Sequence, residues 1–307
     1  MNAFDYRSPR SLDEALAVLG EYGEDARVVA GGTALVTMMR QRLVQPSCLV
    51  SLRDIQGLGR IETDNGGLRL GALATHRETE TSPLVRERLP VLAETFRRVA
   101  TVRIRHMATV GGALAHADPN QDPPVTLLAL GARVEIRGAR GSRELPLAEF
   151  FRDYYETALE PGELVTAIRV SPPPPASGAV FVKFLPRTAD DYATVAAAAI
   201  VTLEPDGVRC REARIALGSV GVTPFRARSA ESLLAGEGLS ENLLRAAGEA
   251  AKTAVDPLSD HRGSAAYKRE MTAVIVGRAL TQAWEAARRA AGHGSHGLGA
   301  GAPHAHE

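Results

Sequence analysis

Apolar residues spaced by three and four, broken by short alternating or continuous apolar runs, mark out helices and strands in turn along the chain. Ser11-Leu-Asp-Glu14 has the spacing of a capping box, and Leu12, Ala15, Leu16 and Leu19 carry one apolar stripe to Gly20. A short amphipathic helix therefore opens the fold. Arg27 to Ala30 reads as a strand, and Thr33 to Leu43 as a helix with Leu35, Met38, Met39 and Arg42 spaced by three and four. Cys48 to Leu52 reads as another strand. This predicts a compact βαβ-like unit.

From Leu68 onward the segments shorten. A strand LRLGAL is followed by a second capping box, Thr75-His-Arg-Glu78, and by helices at Pro83 to Arg88 and Val91 to Val99. A helix from Pro123 to Leu130, stopped by Gly131, precedes the strands ARVEIRG and LVTAIRV. The mixture is that of an α+β domain. Ser171 to Gly178, SPPPPASG, cannot continue a helix or a central strand and favours an extended spacer, so the domain boundary is placed there. Strands near 180–185, 194–203 and 212–219, then helices near 227–234, 241–253 and 265–289, predict a second, smaller α+β domain over 178–289. The tail 291–307 is rich in Gly, Ala and His without an apolar period, which predicts disorder.

Composition narrows the function. At 307 residues the chain is long enough for two domains with ample cores. Lys plus Arg and Asp plus Glu both number 36, so no global field favours nucleic acid or a charged membrane. Small-molecule or protein partners are expected instead. No apolar run approaches the ~18 residues of a spanning helix, and the first residues lack a signal-peptide layout, so the expected location is the cytoplasm. Cys48 and Cys210 lie far apart in strand-like runs and read as small buried hydrophobes; two cysteines cannot hold an iron-sulfur cluster or a tetrahedral zinc.

Two glycine pairs are the best candidates for chemistry. A strand running through Gly31-Gly32 to Thr33 as N-cap would leave several backbone N–H groups free at a helix start, suited to a phosphate; a tight turn without ligand is the other reading. The second pair, in Thr109 to Ala113 (TVGGA), ends an apolar stretch with no helix expected at once, and such bare backbone accommodates a neighbour. The two loops could share one anion. Asp122 before Pro123-Pro124 fits an N-cap or a ligand contact. Lys183 could neutralise a phosphate and Tyr192 could lie on a flat heterocycle, or both could be ordinary surface and packing residues. No G-x-G-x-x-G follows a strand, the match Gly292 to Gly297 lies in the tail, and neither a P-loop nor H-E-x-x-H occurs. No nucleophile or general base stands out.

Four motifs in order carry a resemblance. AGGTALVTMMRQRL (30–43), TVGGALAHADPNQDPP (109–124), EPGELVTAIRV (160–170) and the K-x-x-x-R-x-x-x-D-Y-A stretch from Lys183 to Ala193 resemble the FAD-binding medium subunits of the xanthine dehydrogenase and molybdenum hydroxylase family. Within it the chain is most similar to carbon monoxide dehydrogenase medium subunits, over residues 3–288. The resemblance implies an FAD-binding domain of the vanillyl-alcohol-oxidase (PCMH) type over 1–173, in subdomains 1–53 and 54–173, then a C-terminal domain of the CO dehydrogenase flavoprotein type. It implies pyrophosphate contacts at Ala30, Gly31, Gly32, Thr33, Ala34 and Leu35 and at Thr109, Val110, Gly111, Gly112 and Ala113. Asp122, a backbone position at Val165, Lys183 on the flavin side and Tyr192 facing the isoalloxazine complete the set, and no residue is implied to be catalytic.

The same resemblance implies an electron-transfer subunit. Its partners would be a large subunit with molybdopterin and a small one with [2Fe-2S] clusters, in a dimer of three-subunit units, delivering electrons to an external acceptor. Ala34 and Ala113 depart from the family pattern, each removing a potential side-chain hydrogen bond of about 1 kcal/mol. They keep open a non-catalytic binding or assembly protein; a freestanding flavin oxidoreductase is the remaining alternative.

Overall fold

A parallel three-stranded sheet begins the chain in the computed structural model, which describes residues 3–185, 187–188 and 190–292. From residue 293 onward, the tail expected to be disordered lies outside the described residues. Strand β1 (Asp5–Arg7), helix α1 (Leu12–Tyr22), β2 (Ala26–Val29), α2 (Leu35–Arg40) and β3 (Cys48–Ser51) form this unit, with β3 in the middle. The expected βαβ arrangement is present. Ala15, Leu16 and Leu19 of α1 pack on Cys48 and Val50, so Cys48 behaves as a small core residue. Ser11 caps α1 through the Glu14 N–H, but the Glu14 carboxylate accepts from Arg10 N–H at 2.7 Å, not from Ser11, so the reciprocal box is shifted by one residue.

The next segment contains β4 (Ile61–Asp64), β5 (Gly67–Gly71), α3 (His76–Thr81), α4 (Pro83–Arg88), α5 (Pro90–Arg97), α6 (Val102–Arg105), α7 (Val110–His116) and α8 (Asp122–Ala129). Strands β6 (Arg133–Gly138), β7 (Gly141–Pro146), β8 (Phe151–Asp153), β9 (Glu156–Thr157) and β10 (Leu164–Val170) follow. An antiparallel sheet runs β4-β5-β10-β6-β7, and its apolar face (Leu68, Leu70, Val134, Ile136, Ile168) buries Phe96 and Leu127 of α5 and α8. The Thr75 box is complete, with Thr75 Oγ1 accepting from Glu78 N–H and the Glu78 carboxylate from Thr75 N–H.

Beyond the proline run come β11 (Ser177–Phe184), β12 (Val195–Leu203), β13 (Cys210–Gly218), β14 (Phe225–Arg226), α9 (Arg228–Leu234), α10 (Glu241–Thr253) and α11 (Ala265–Ala290). The strands form an antiparallel meander in sequence order. Every residue of β12 is buried, and the period of two explains how. Val195, Ala197, Ala199 and Val201 face the cluster under α9, α10 and α11, while Ala196, Ala198 and Ile200 join the cluster built on α5 and α8. The apolar core therefore passes across the proline spacer without a gap. Small residues dominate β12 because helices approach it from both sides.

A buried ion pair ties the C-terminal sheet to the earlier segment. Lys183 Nζ in β11 donates to Asp122 Oδ2 on α8 at 2.7 Å and to the Arg98 carbonyl at 3.0 Å, with both side chains nearly inaccessible. Burial raises the Asp122 carboxyl to about 6 against its ordinary 3.8, outweighing the downward pull of Lys183. Because the folded state then holds the proton more firmly than the unfolded chain, this group's contribution is complete below about 4 and falls as pH rises through about 6. Removing the lysine leaves the carboxylate buried and uncompensated. Lys183→Met should therefore lose about 3–5 kcal/mol of unfolding free energy near pH 8. Urea unfolding at about pH 5 should show a much smaller deficit, since the carboxyl is then protonated. A deficit equal at both pH values would contradict this account.

Candidate functional site

A cavity of about 650 Å³ lies between the parallel unit, α7, the start of α8 and the chain following β11. This is a usual size for a cofactor site. Of the positions implied by sequence, Ala30, Gly31, Gly32, Thr33, Ala34, Leu35, Thr109, Gly111, Gly112, Ala113, Asp122, Val165, Lys183 and Tyr192 all line it. Val110 does not. Its side chain is buried in the core behind the wall and its N–H is bonded to the Ala74 carbonyl. Val165 reaches the cavity from β10, at an irregular register between Val165 and Ala167.

The first glycine loop presents unpaired backbone. The N–H groups of Gly31, Gly32, Thr33, Ala34 and Leu35 have no acceptor among the described residues; the first N–H used is that of Val36, to the Gly32 carbonyl. Thr33 is not the N-cap expected from sequence. Ala34 occupies that position without a side-chain cap, because Gly32 at φ 72° turns the chain left-handed and delays the helix. A Cβ on Gly31 would overlap the Met107 carbonyl oxygen, so only glycine lets the two loops meet. A row of unpaired donors facing a cavity is a place for an anion.

The second glycine pair works differently from its expectation. A helix does follow at once: α7 runs through Gly111 and Gly112, capped by Thr109 Oγ1, which accepts from the Gly112 N–H at 3.1 Å. The N–H of Gly111 goes to the Ala72 carbonyl and that of Ala113 to the Thr109 carbonyl, so this loop has no free row of donors. Glycine is needed at 111 because a Cβ there would overlap Ala72. The pair brings α7 against the strand edge. What it offers a ligand is bare surface and the Thr109 hydroxyl proton, which has no acceptor among the described residues.

Charge in the wall is already committed. Lys183 is paired with Asp122 and bonded to the Arg98 carbonyl, so its charge is already balanced within the wall. Asp122 opens α8 with Gln121 at the cap, so it is neither N-cap nor exposed, and its Oδ1 has no partner. Arg27 donates to the Glu24 and Ala26 carbonyls. A bound diphosphate would meet main-chain dipoles before any free cation.

Three further residues of the wall have no role assigned from the sequence. His76 is buried with neither ring nitrogen hydrogen-bonded, and burial lowers it to about 4, so the ring is neutral. His116 ends α7, lowered by burial, with its ring centroid 5.2 Å from that of Tyr155. Tyr155 sits in the β8–β9 turn beside Tyr154, where a pair of tyrosines gives no signal of which one lines a site. At the same mouth Tyr192 is 48% exposed, lies 5.9 Å under the Arg262 guanidinium, and is pushed upward by partial burial and then by Asp118. Among the described residues no cluster of His, Cys, Asp and Glu could hold a metal, and no helix is long and apolar enough to cross a membrane.

Donors for a diphosphate, an apolar wall and aromatic residues at the mouth together fit FAD. Residues 2–173 match the family described as the FAD binding domain in molybdopterin dehydrogenase, and residues 180–283 the CO dehydrogenase flavoprotein C-terminal domain. The carbon monoxide dehydrogenase medium chain of Afipia carboxidovorans is 39% identical over 281 residues, covering 92% of this chain and 96% of that one. The 6-hydroxypseudooxynicotine dehydrogenase complex subunit alpha of Paenarthrobacter nicotinovorans is 37% identical, covering 93% and 96%. A solved carbon monoxide dehydrogenase from Hydrogenophaga pseudoflava, 36% identical, superposes with a TM-score of 0.90 over 92% of this chain and 98% of that one. With both parts matched in order and nearly the whole length of these relatives covered, this chain belongs to the FAD-binding medium subunits of the molybdopterin dehydrogenase family.

Proposed function

We propose that this chain holds FAD in the 650 Å³ cavity and serves as the electron-transfer subunit of a molybdenum hydroxylase. The row of N–H groups from Gly31 to Leu35, without acceptors among the described residues, carries the reading, because it supplies the donors a diphosphate requires. The Thr109 hydroxyl adds one donor, and Gly112 leaves space beside Ala30. Asp122 and Lys183, fixed by each other, form rigid wall, and Tyr192 offers its ring to the flat end of the cofactor. Ala34 costs little here, since its contribution is its backbone N–H. Bound FAD supplies a relay that takes up and gives up electrons; the residues of this chain bind, orient and shield it.

The names of the relatives support partners. They are medium chains or a subunit of a complex, so we assign a large molybdopterin subunit and a small [2Fe-2S] subunit to this chain, in a dimer of three-subunit units. An external acceptor would receive the electrons. Since the relatives act on carbon monoxide, nicotine derivatives and caffeine, the substrate belongs to the large partner and not to this chain.

Two measurements test the reading. The purified full chain should take up equimolar FAD and turn yellow, and with its two partner subunits its flavin should bleach anaerobically when substrate is added. A chain that binds no FAD would overturn the proposal. Thr33→Asp, which places a carboxylate among the free donors without removing a cap, should weaken FAD binding by at least about 100-fold, while Thr33→Asn stays near wild type. Equal losses in the two variants would show that size and not charge matters there.

A further inference from the structure

One aromatic residue of the cavity mouth occupies a backbone conformation that suits glycine. Tyr155 has φ 56°, in the left-handed region, and the strands on either side of its turn are short. Its N–H donates to the carbonyl of Ala117 at 3.3 Å, and Ala117 is itself left-handed at φ 53°. Two non-glycine residues in this region therefore hold each other. Such conformations are strained for residues other than glycine and persist where the surroundings over-determine them. Glycine at 155 would remove the strain and also the ring.

The place of the ring gives it a use. Tyr155 lines the cavity while 55% exposed, its ring centroid 5.2 Å from that of His116, whereas its neighbour Tyr154 is not in the wall. Tyr192 lines the same cavity, so the two tyrosines share its wall. Helix α7 sets the distance to the glycine loop. Its N-terminal turn carries Gly112 beside Ala30, its last residue is His116, and its seven residues span roughly 10 Å. A diphosphate at Gly31 to Leu35 thus leaves the flat end of an extended flavin dinucleotide among the tyrosines.

We infer that Tyr155 is a second aromatic contact for the isoalloxazine ring, beside Tyr192, and that its left-handed turn holds it there. Faces of tyrosine and flavin attract by dispersion and quadrupole, and the contact quenches flavin emission. The inference rests on FAD occupying this cavity, so the test reads binding and ring contact separately.

The full chain is reconstituted with FAD, and its affinity and the fluorescence of the bound flavin are measured for wild type and variants. Tyr155→Gly should bind FAD about tenfold more weakly, with brighter bound flavin, while the apoprotein keeps or raises its melting temperature. Tyr155→Phe should restore both signals, and Tyr154→Leu should change neither. Should Tyr155→Gly unfold, Tyr155→Asn, which tolerates the left-handed region, gives the same reading. Bound flavin with wild-type affinity and emission in the ring-less variant overturns the inference and leaves the FAD site standing. A wild-type chain that binds no FAD overturns both.

Discussion

The bond between Lys183 and Asp122 is the constraint on which the site depends. It joins the first turn of α8 to β11 across the proline spacer, and each of its ends is also part of the cavity wall. Two buried charges seldom add much net stability, because desolvation offsets their attraction. Their value is in direction. Apolar side chains could fill the same volume with the sheet slid or rotated by a fraction of a turn, whereas a 2.7 Å contact with a second bond to the Arg98 carbonyl accepts one register. Asp122 Oδ1, buried without a partner, is what that geometry leaves over.

With Lys183 paired to Asp122, the proposed anion site rests on main chain. Gly31 can press against the Met107 carbonyl, Gly32 can turn left-handed, and the delay of α2 to Leu35 leaves successive N–H groups unused. Oriented peptide dipoles hold an anion without the mobility of a lysine head, and they cannot titrate. The second glycine pair provides no such dipoles. Its function is to let α7 lie against the strand edge, which fixes the distance between the anion loop and the tyrosines.

Much of this was legible in the sequence, for identifiable reasons. Helix α10 has the bounds its apolar spacing predicts, and the parallel unit follows from a strand-helix-strand pattern that leaves few alternatives. The Thr75 box is purely local and appears as read. Thr33 failed as a cap because Gly32 turns left-handed before it and delays α2 to Leu35. The expectation of no helix directly after Thr109 was wrong because the Ala74 and Ala72 carbonyls accept from the Val110 and Gly111 N–H groups and so support the first turn of α7. Residue pairs such as Lys183 with Asp122, or Tyr155 with Ala117, are set by tertiary packing, and no periodicity encodes them.

The C-terminal sheet then acquires a functional meaning. Lys183 lies near the end of β11 and Tyr192 in the connection, three residues before β12, and both line the cavity. A connection of this kind is ordinarily mobile. Here β12 is buried on both faces and α11 packs along β11 and β12, so both ends of the connection leave from fixed strands. Arg262, ahead of α11, accepts a hydrogen bond from Thr194 Oγ1 at its carbonyl and places its guanidinium over Tyr192. Electron transfer requires a ring held at one distance from its donor, and a rigid scaffold behind an otherwise exposed tyrosine is the means this fold provides.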